Sequence, residues 1–334
     1  MKNILNDLFA DRQLSEAEAE QLMLSIAAGE GTDAQLAALM TVFKMRSITP
    51  DELSGFRKAL LQTALGVDFD ASDAIDLCGT GGDGKNTFNI STLAALVTSA
   101  AGGRVVKHGN YGISSVSGSS DVLQMLGYRF SSDGDVLREQ FEENGICFLH
   151  APLFHPALQR VGEIRRQLAF PTFFNLLGPL VNPARPGAQV MGVNSRAQAR
   201  LCHYLAQQQN KRYFIIHSSD GYDEISLTAS FYLYSQNGDQ LLEPEEFGFN
   251  RNHPVDIEAG TTRDQSAQVF LNILTGKGSA AQENVVVANA AVALVCGNTV
   301  NSFSEGMDKA RWALRSGEAL KKLNRSIQLS RKAA

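Results

Sequence analysis

A glycine-rich segment at residues 76–85, DLCGTGGDGK, has the composition of a phosphate-binding loop. Glycine carries no side chain, so successive backbone N–H groups in such a loop can approach a phosphate closely. Gly79, Gly81 and Gly84 fit the G-x-G-x-x-G spacing of dinucleotide-binding loops, and Lys85 brings the segment close to a Walker A loop. The segment indicates a phosphate or pyrophosphate ligand, with a plain glycine-rich turn between a strand and a helix as the alternative.

Neither nucleotide-binding motif is complete in this segment. A dinucleotide site requires an acidic residue about 20 positions after the loop for the ribose hydroxyls, but no Asp or Glu occurs between Asp83 and Asp121. A Walker A loop requires Ser or Thr directly after the lysine, and Asn86 stands there. Asp83 would also repel a polyphosphate unless a cation lay between them. The residues therefore favour a phosphate or pyrophosphate bound in a way that neither motif describes.

Small polar residues directly after the loop could extend the phosphate site. Asn89, Ser91 and Thr92 lie in TFNIST, where a helix is predicted to begin. A helix N-terminus exposes unpaired N–H groups and a partial positive charge, which attract a phosphate. Ordinary N-capping by Ser91 or Thr92 is the alternative. The two interpretations are compatible, because a capping residue can also contact a ligand.

A second loop of the same character follows the next predicted strand, in VVKHGNYGISSVSGSSD at residues 105–121. Lys107 places a cation at the end of that strand, and His108 beside it suits either an acid–base role or the wall of a pocket. Loops at the carboxyl ends of neighbouring parallel strands converge on one crevice. We therefore expect both loops to bind one ligand that has two separated phosphate groups. The second loop supplies the small polar side chains Asn110, Ser114, Ser115, Ser117 and Ser119.

Two adjacent acids, Asp223 and Glu224, precede a predicted strand in DGYDEISLTA. Carboxylate oxygens are ligands that magnesium prefers. A charged turn is the alternative interpretation. Phosphate-binding loops on a protein of net charge −5 need a metal to complete the charge balance, which favours a magnesium site at these acids.

Two adjacent arginines, Arg165 and Arg166, lie in a predicted helix. A guanidinium makes a fork-shaped contact with a carboxylate, so one of the two is expected to face the crevice and bind a carboxylate of the substrate. A surface pair of cations, which contributes little to stability, is the alternative.

The elements that must position these residues divide the chain into a helical part and an α/β part. The first part has apolar residues at helical spacing, a capping box from Ser15 to Glu18, and a helix start at Thr49. From Asp73 onward, strands and helices alternate, which indicates a mostly parallel sheet covered on both faces. A helical segment, HPALQRVGEIRRQLAFPTFFNLLGPLVNP, interrupts this alternation and is expected to pack with the N-terminal helices.

The predicted domains follow from that division. The helical domain comprises residues 1–68 joined by about 153–185, and the α/β domain comprises residues 72–152 and 186–334. Near the end of the chain, ISLTASFYLYS and the segment around DQLLEPEEF are predicted as strands with a turn at Asn237-Gly238. Three helices are predicted to close the chain, the last from about Ser304.

Composition restricts the class of protein. The chain has 334 residues, of which 44% are apolar, so it can form a large core. Its net charge of −5, with acids and bases mixed, argues against a nucleic-acid-binding protein with a basic face. The segment MKNILNDLFADRQ has no uninterrupted apolar run, which predicts neither a signal peptide nor a membrane span. No C-x-x-C pair occurs, so neither a zinc site nor a redox motif is indicated, and a reducing cytoplasm is the expected compartment.

Four segments together resemble the anthranilate phosphoribosyltransferases, enzymes of tryptophan biosynthesis. They are GTGGDGKNTFNIST, KHGN with SSVSGSSD, HPAL through TFFNLLGPLVNPARP, and DEIS, in the family's order across nearly the whole chain. The resemblance implies a small helical domain and a large α/β domain of the type II nucleoside phosphorylase kind, in a homodimer joined through the helical domains. It also implies transfer of the phosphoribosyl group of phosphoribosyl pyrophosphate (PRPP) to the amine of anthranilate, with two Mg²⁺ ions.

The resemblance also implies roles for individual residues. The positions that match PRPP contacts are Gly79, Gly82, Asp83, Thr87, Asn89, Ile90, Ser91, Thr92, Lys107, His108, Gly109, Asn110, Tyr111, Gly112, Ile113, Ser114, Ser115 and Ser119. The positions that match anthranilate contacts are Gly79, Asn110 and Arg165, and those that match magnesium ligands are Ser91, Asp223 and Glu224. No residue is assigned as an acid or base. Tyr111 stands where the family often has Arg, which removes a cation beside the second loop.

Two other functions remain open from the sequence. A pyrimidine nucleoside phosphorylase would share the fold, but it binds free phosphate and needs neither the adjacent acids nor the complete GTGGD segment. A non-catalytic relative that binds nucleic acid would have eroded substrate loops and a basic surface. Here both loops are intact and the net charge is −5.

Overall fold

The computed structural model describes residues 1–112 and 116–332. The chain folds into two compact units. The helical unit consists of Met1–Gly66 and Ala151–Pro183, and the α/β unit consists of Val67–His150 and the chain from Ala184 onward. The predicted fold class, a small helical part and a large α/β part with a mostly parallel sheet, is confirmed.

The secondary structure alternates as the sequence pattern predicts. The α-helices are α1 (Lys2–Phe9), α2 (Glu16–Ala27), α3 (Asp33–Met45), α4 (Pro50–Thr63), α5 (Ile90–Ala100), α6 (Ser119–Met125), α7 (Gly134–Asn144), α8 (Ala151–Phe154), α9 (Gln159–Leu168), α10 (Phe174–Leu177), α11 (Arg196–Gln207), α12 (Arg263–Leu274), α13 (Ala280–Cys296), α14 (Phe303–Arg315) and α15 (Glu318–Ser330). The strands are β1 (Ile75–Gly79), β2 (Val105–Gly109), β3 (Ile146–His150), β4 (Ala188–Gly192), β5 (Arg212–Ser218), β6 (Phe231–Ser235) and β7 (Gly238–Leu242). Short 3₁₀ turns occur at Pro156–Leu158, Gly178–Leu180 and Pro254–Ile257.

The helical unit forms because its helices have strong start signals and apolar stripes that need covering. The capping box predicted from Ser15 to Glu18 is present, and Thr49 caps α4 with Pro50 at its first position. Phe43 of α3 and Phe56 of α4 are buried, with ring centroids 5.6 Å apart. Packing of such stripes, rather than helix propensity, stabilises short helices of this kind.

The sheet of the α/β unit has the order β3-β2-β1-β4-β5-β6-β7. The pairs from β3 through β5 are parallel, and β6 and β7 add antiparallel strands at one edge. β1 pairs with β4 along its length, from Ile75 opposite Ala188 to Gly79 opposite Gly192. The carboxyl ends of β1, β2 and β4 are therefore neighbours, where ligands bind in open α/β sheets.

The core of the α/β unit lies between the sheet and its helices. α5 packs on β1 and on α13, which in turn packs on β4. α13 contains the apolar segment that the sequence marks as a buried helix, and Val285 through Leu294 are buried. Among the residues that the structure describes, no helix has both the length and the apolar character needed to cross a bilayer.

Three predictions of local structure are wrong. The segment ISLTAS is not a strand: Leu227 has a φ of +58°, and β6 begins only at Phe231. Ser235 pairs with Gly238, so the turn between β6 and β7 comes one residue earlier than predicted. The last predicted helix is two helices, α14 and α15, because Gly317 has a left-handed φ of +78° that ends one and starts the other.

Candidate functional site

The first glycine loop joins the end of β1 to the start of α5, as predicted. Gly79 is the last residue of β1 and Asn89 is the N-cap of α5. Gly81, Gly82 and Gly84 have φ values of +62°, +73° and +70°. Residues with a side chain rarely adopt this left-handed conformation, so the loop requires glycine at these positions.

Asp223 lies directly against the first loop. Its Oδ2 accepts a hydrogen bond of 2.7 Å from the backbone N–H of Gly81. A Cβ placed on Gly79 would lie 2.4 Å from the same oxygen, and a Cβ on Gly192 would lie 1.5 Å from the Asp223 carbonyl oxygen. Glycine at the ends of β1 and β4 therefore makes the room that this acid occupies.

Glu224 binds the N-terminus of α5. Its Oε1 accepts a hydrogen bond of 2.9 Å from the backbone N–H of Ser91. The alternative interpretation of Ser91 or Thr92 as an N-cap is wrong, since Asn89 is the N-cap and the helix has no side-chain cap hydrogen bond. The amide of Asn89 donates instead to the Ser117 carbonyl oxygen at 2.9 Å. The N-terminus of α5 is thus held by Glu224, which is distant in the chain, and by the second loop.

The two loops lie side by side at this end of the sheet. Buried Lys107, in β2, donates to the Leu77 carbonyl oxygen in β1 and to Ser91 Oγ at 3.2 Å. His108 is buried, and its backbone N–H donates to Asp76 Oδ1 at 3.1 Å. The structure therefore brings the first loop, Lys107 and the adjacent acids together, as the sequence predicted.

The remaining predicted residues of the first loop have these positions. Thr87 forms an isolated bridge with Glu258, and Asp83 Oδ1 accepts from the backbone N–H of Lys85 at 3.0 Å. The side chains of Ile90 and Thr92 are fully buried, so Ile90 can offer a ligand only its backbone. Gly82 lies among the left-handed residues of the turn.

The second loop is described on either side of residues 113–115. Asn110, Tyr111 and Gly112 follow Gly109 at the end of β2, and the carbonyl oxygen of Asn110 accepts from Ser119 Oγ at 3.3 Å. The Tyr111 ring packs edge-on against His150 with centroids 4.6 Å apart. The predicted ligands Ile113, Ser114 and Ser115 lie outside the described residues.

The environment of the adjacent acids disfavours their charged forms. Burial, and next the charge of Asp83, raises the pKa of Asp223 from 3.8 to about 7. Burial and the charge of Asp223 raise the pKa of Glu224 well above 4.5, and burial raises that of Asp83. Desolvated carboxylates of this kind favour a cation. Asp223 and Glu224 also line a small cavity, together with Leu77, Cys78, Gly79, Ser91, Ala94, Val190, Gly192, Ile216 and Asn289.

The donor set of this cavity suits magnesium, which prefers carboxylate and hydroxyl oxygens. Asp223 and Glu224 supply the carboxylates and Ser91 the hydroxyl. Within the described ranges, no group of three or more His, Cys, Asp or Glu side chains is arranged to hold a metal ion. The protein therefore offers part of a coordination shell, and oxygens of a ligand would have to supply the rest.

Arg165 belongs to the helical unit and is partly buried. Its Nη2 donates to Asn175 Oδ1 at 3.0 Å, and its guanidinium lies 5.9 Å from the centroid of the Phe174 ring. Burial lowers its pKa to about 10. Arg166, by contrast, is 70% exposed and pairs with Glu163. The alternative of a surface pair is therefore wrong for Arg165 and right for Arg166.

Two amides of the site were not predicted. Asn289 in α13 exchanges hydrogen bonds with the backbone of Ile225, accepting at 3.2 Å and donating at 2.9 Å. Asn194 donates to the Gly81 carbonyl oxygen at 3.2 Å. The one amide in the apolar segment VVVANAAVALVC was the available signal for Asn289. No signal marked Asn194, because its contact depends on the pairing of β1 with β4.

Replacing Gly192 by Ala should destabilise the protein by about 3 kcal/mol, because the added Cβ would overlap the Asp223 backbone and force it to move. Urea unfolding should show the loss as a lower midpoint. Gly134→Ala is the matched control, since its Cβ would meet only Asp68 Cβ at 3.6 Å. Equal midpoints for the two variants would contradict the close approach of Asp223 to β4.

Comparisons with known proteins agree with the resemblance to the anthranilate phosphoribosyltransferases. Residues 2–64 match the model of a glycosyl transferase family helical bundle domain, and residues 71–320 match that family's a/b domain. The anthranilate phosphoribosyltransferase of Flavobacterium johnsoniae is 50% identical over 99% of this chain and all of that protein. The enzyme of the same name from Bacteroides thetaiotaomicron is 46% identical over 99% of this chain and all of that protein.

Solved structures show the same likeness. Anthranilate phosphoribosyltransferase from Thermus thermophilus superposes with a TM-score of 0.91 and 33% identity, covering 98% of this chain and 99% of that one. The enzyme from Saccharomyces cerevisiae in complex with PRPP and Mg has a TM-score of 0.89 and 26% identity, covering 98% and 97%. On the shared sequence and fold, the chain belongs to the anthranilate phosphoribosyltransferase family.

Proposed function

We propose that the chain transfers the 5-phosphoribosyl group of PRPP to the amine of anthranilate, giving N-(5-phosphoribosyl)anthranilate and pyrophosphate in tryptophan biosynthesis. The observation that carries this proposal is the meeting of the first loop, Lys107 and the Asp223-Glu224 pair at the end of β1. That arrangement suits a sugar with phosphate at both ends. Relatives at 43–50% identity over their full length carry the corresponding name.

The protein groups for PRPP are backbone N–H donors and one cation. Gly82 and Gly84 of the first loop have the left-handed backbone of an anion-binding turn, and Lys107 lies beside Ser91. We assign the PRPP contacts to the two loops, at the positions that the sequence predicted. The transferred carbon develops oxocarbenium character as pyrophosphate leaves, so positioning and electrostatics do most of the catalytic work.

Asp223, Glu224 and Ser91 would hold Mg²⁺. Raised carboxyl pKa values at Asp223 and Glu224 indicate that a compensating cation is favourable there. Magnesium is usually held by one or two carboxylates plus the phosphates of the substrate, which fits the incomplete shell of the protein. When bound, two such ions would neutralise charge on the departing pyrophosphate. A yeast relative was solved in complex with PRPP and Mg.

We assign Arg165 to the carboxylate of anthranilate, with Gly79 and Asn110 as further contacts. A partly buried guanidinium whose Nη2 is already oriented by Asn175 loses little freedom on pairing with a carboxylate. The aromatic amine of anthranilate is neutral at pH 7 and has a lone pair available. The reaction therefore needs little acid–base help: the proton that the nitrogen loses after the C–N bond forms can pass to the departing pyrophosphate or to water, and no acid or base is assigned. A yeast relative was solved in complex with 4-fluoroanthranilate.

The proposed assembly is a homodimer joined through the helical units, in the cytoplasm. Phe9 and Met45 in the helical unit are 60% and 84% exposed. Burial of such side chains in a contact between helical units would be favourable. We propose neither a nucleic acid nor a membrane as a partner.

The decisive experiment follows the loss of anthranilate fluorescence with purified protein, PRPP and Mg²⁺. Fluorescence should fall only when all three are present, and addition of EDTA should stop it. Thymidine phosphorolysis without PRPP consumption would instead support the nucleoside phosphorylase alternative. Absence of turnover combined with salt-sensitive DNA binding would support the nucleic-acid-binding alternative.

A further inference from the structure

A buried carboxylate in α6 ties together two separated glycines of the second loop. The Asp121 side chain is only 2% exposed. Its Oδ2 accepts hydrogen bonds from the backbone N–H groups of Gly112, at 2.8 Å, and Gly118, at 2.9 Å. Gly112 and Gly118 lie on either side of residues 113–117, so a single oxygen joins the two ends of that stretch.

The backbone on the two sides of the stretch is in close contact. A Cβ on Gly118 would lie 2.2 Å from the Gly112 nitrogen and 2.7 Å from the Asn110 carbonyl oxygen. That carbonyl oxygen also accepts from the Ser120 backbone N–H at 3.1 Å. Only glycine at position 118 permits this approach. The position of Asn110 therefore depends on the start of α6.

The other oxygen of Asp121 faces a cation. Oδ1 lies 3.2 Å from Nη2 of Arg263 in α12, and the Arg263 side chain is 61% exposed. An exposed guanidinium adds little to such a pair, because water and salt screen it. The hydrogen bonds of Oδ2, by contrast, join Gly112 to Gly118 through one buried side chain, and no other side chain that the structure describes is shown to make that link. The acceptor role of Asp121 is therefore the dominant one.

We infer that Asp121 is a positioning residue for PRPP binding: its carboxylate closes the second loop by joining Gly112 to Gly118 and so holds Asn110 and Ser119 in place. Asp121 acts through these residues rather than by touching the substrate. The inference rests on the proposed function, in which the second loop contacts PRPP. It adds to that function a residue outside both loops' predicted contact positions.

The test compares Asp121→Ala, Asp121→Asn and Arg263→Ala by steady-state kinetics in PRPP, with anthranilate saturating. Asp121→Ala should raise KM for PRPP about tenfold, since it removes both hydrogen bonds that join Gly112 to Gly118. Asp121→Asn keeps a carbonyl oxygen that can accept from both glycines, so its KM should stay within about threefold of the original value. Arg263→Ala should change KM less than about twofold.

The pattern of KM against kcat separates positioning from general destabilisation. A protein that is merely less stable would lose active fraction, so its kcat would fall while its KM stayed the same. If Asp121→Ala does not fold, Asp121→Ser replaces it, because a hydroxyl is too short to reach both glycines. Unchanged KM in Asp121→Ala or Asp121→Ser, or equal damage in Asp121→Asn, would overturn the inference. Failure of the unmodified protein to consume PRPP would instead overturn the proposed function.

Discussion

Replacing Glu224 by Gln, or Asp223 by Asn, is expected to lower kcat/KM for PRPP about a hundredfold, the upper range for losing a charged contact. Each amide keeps the size of the acid and its ability to accept from Ser91 or Gly81. Each loses the negative charge that favours a cation in the cavity. The measurement is anthranilate consumption at varied PRPP and Mg²⁺, and the apparent affinity for Mg²⁺ should fall in parallel.

Asp239→Asn is the control for these substitutions. Asp239 is an exposed carboxylate on edge strand β7 of the same unit, so its loss changes net charge equally without touching the cavity. It should leave kcat/KM within about twofold of the original value, as exposed substitutions generally do. A hundredfold loss in all three variants would trace the effect to overall charge. No loss at Asp223 and Glu224 would remove both acids from the reaction.

The pH dependence of thermal stability in Asp223→Asn tests whether folding raises the pKa of Asp223. In the metal-free folded protein the pKa of Asp223 is raised from 3.8 to about 7, mainly by burial. Between these two pKa values the folded state keeps a proton that the unfolded chain has released. The contribution of Asp223 to stability is therefore fully present below the unfolded pKa and is lost as the pH rises through the folded pKa. Asn cannot ionise, so its melting temperature should fall less than that of the original protein between about pH 5 and pH 8. Equal slopes would contradict the raised pKa.

Replacing Arg165 by Ala is expected to raise KM for anthranilate about tenfold or more, since a paired charge contact contributes about 1.5–3 kcal/mol. KM for PRPP should change little, because Arg165 is assigned only to the carboxylate of the acceptor. Initial rates at varied anthranilate, with PRPP saturating, measure the effect. Arg165→Lys should recover only part of the loss, because an ammonium does not offer the fork-shaped contact of a guanidinium.

Arg166→Ala provides a matched control in the adjacent position. The Arg166 side chain is 70% exposed and pairs with Glu163 on the same helix. An exposed pair of this kind contributes about 1 kcal/mol or less, so KM for anthranilate should stay near its original value. If Arg165→Ala and Arg166→Ala have the same KM, Arg165 does not bind the substrate carboxylate.

Local sequence was sufficient for the starts of α2 and α4 and for the glycines of the first loop. The capping boxes at Ser15 and Thr49 follow from side chains within one turn of the backbone that they cap. Gly81, Gly82 and Gly84 indicated a backbone that other residues rarely adopt. Local sequence misled at ISLTAS, where β-branched and apolar residues suggested a strand. There, a left-handed Leu227 and hydrogen bonds such as Thr228 Oγ1 to Asp220 Oδ2 at 2.5 Å stabilise a turn instead.

The sequence by itself determined which residue types are available for the chemistry: a glycine loop, a lysine at a strand end, two adjacent acids and an arginine. Only the tertiary structure decided that Glu224 holds the N-terminus of α5, that Asp121 joins Gly112 to Gly118, and that Arg165 is partly buried while Arg166 is exposed. The physical reason is that Glu224 is far from Ser91 in the chain, that Asp121 reaches Gly112 beyond its local contact with Gly118, and that the exposure of each arginine depends on how its helix packs. Strand pairing and burial set them, and neither leaves a signature in the neighbouring residues.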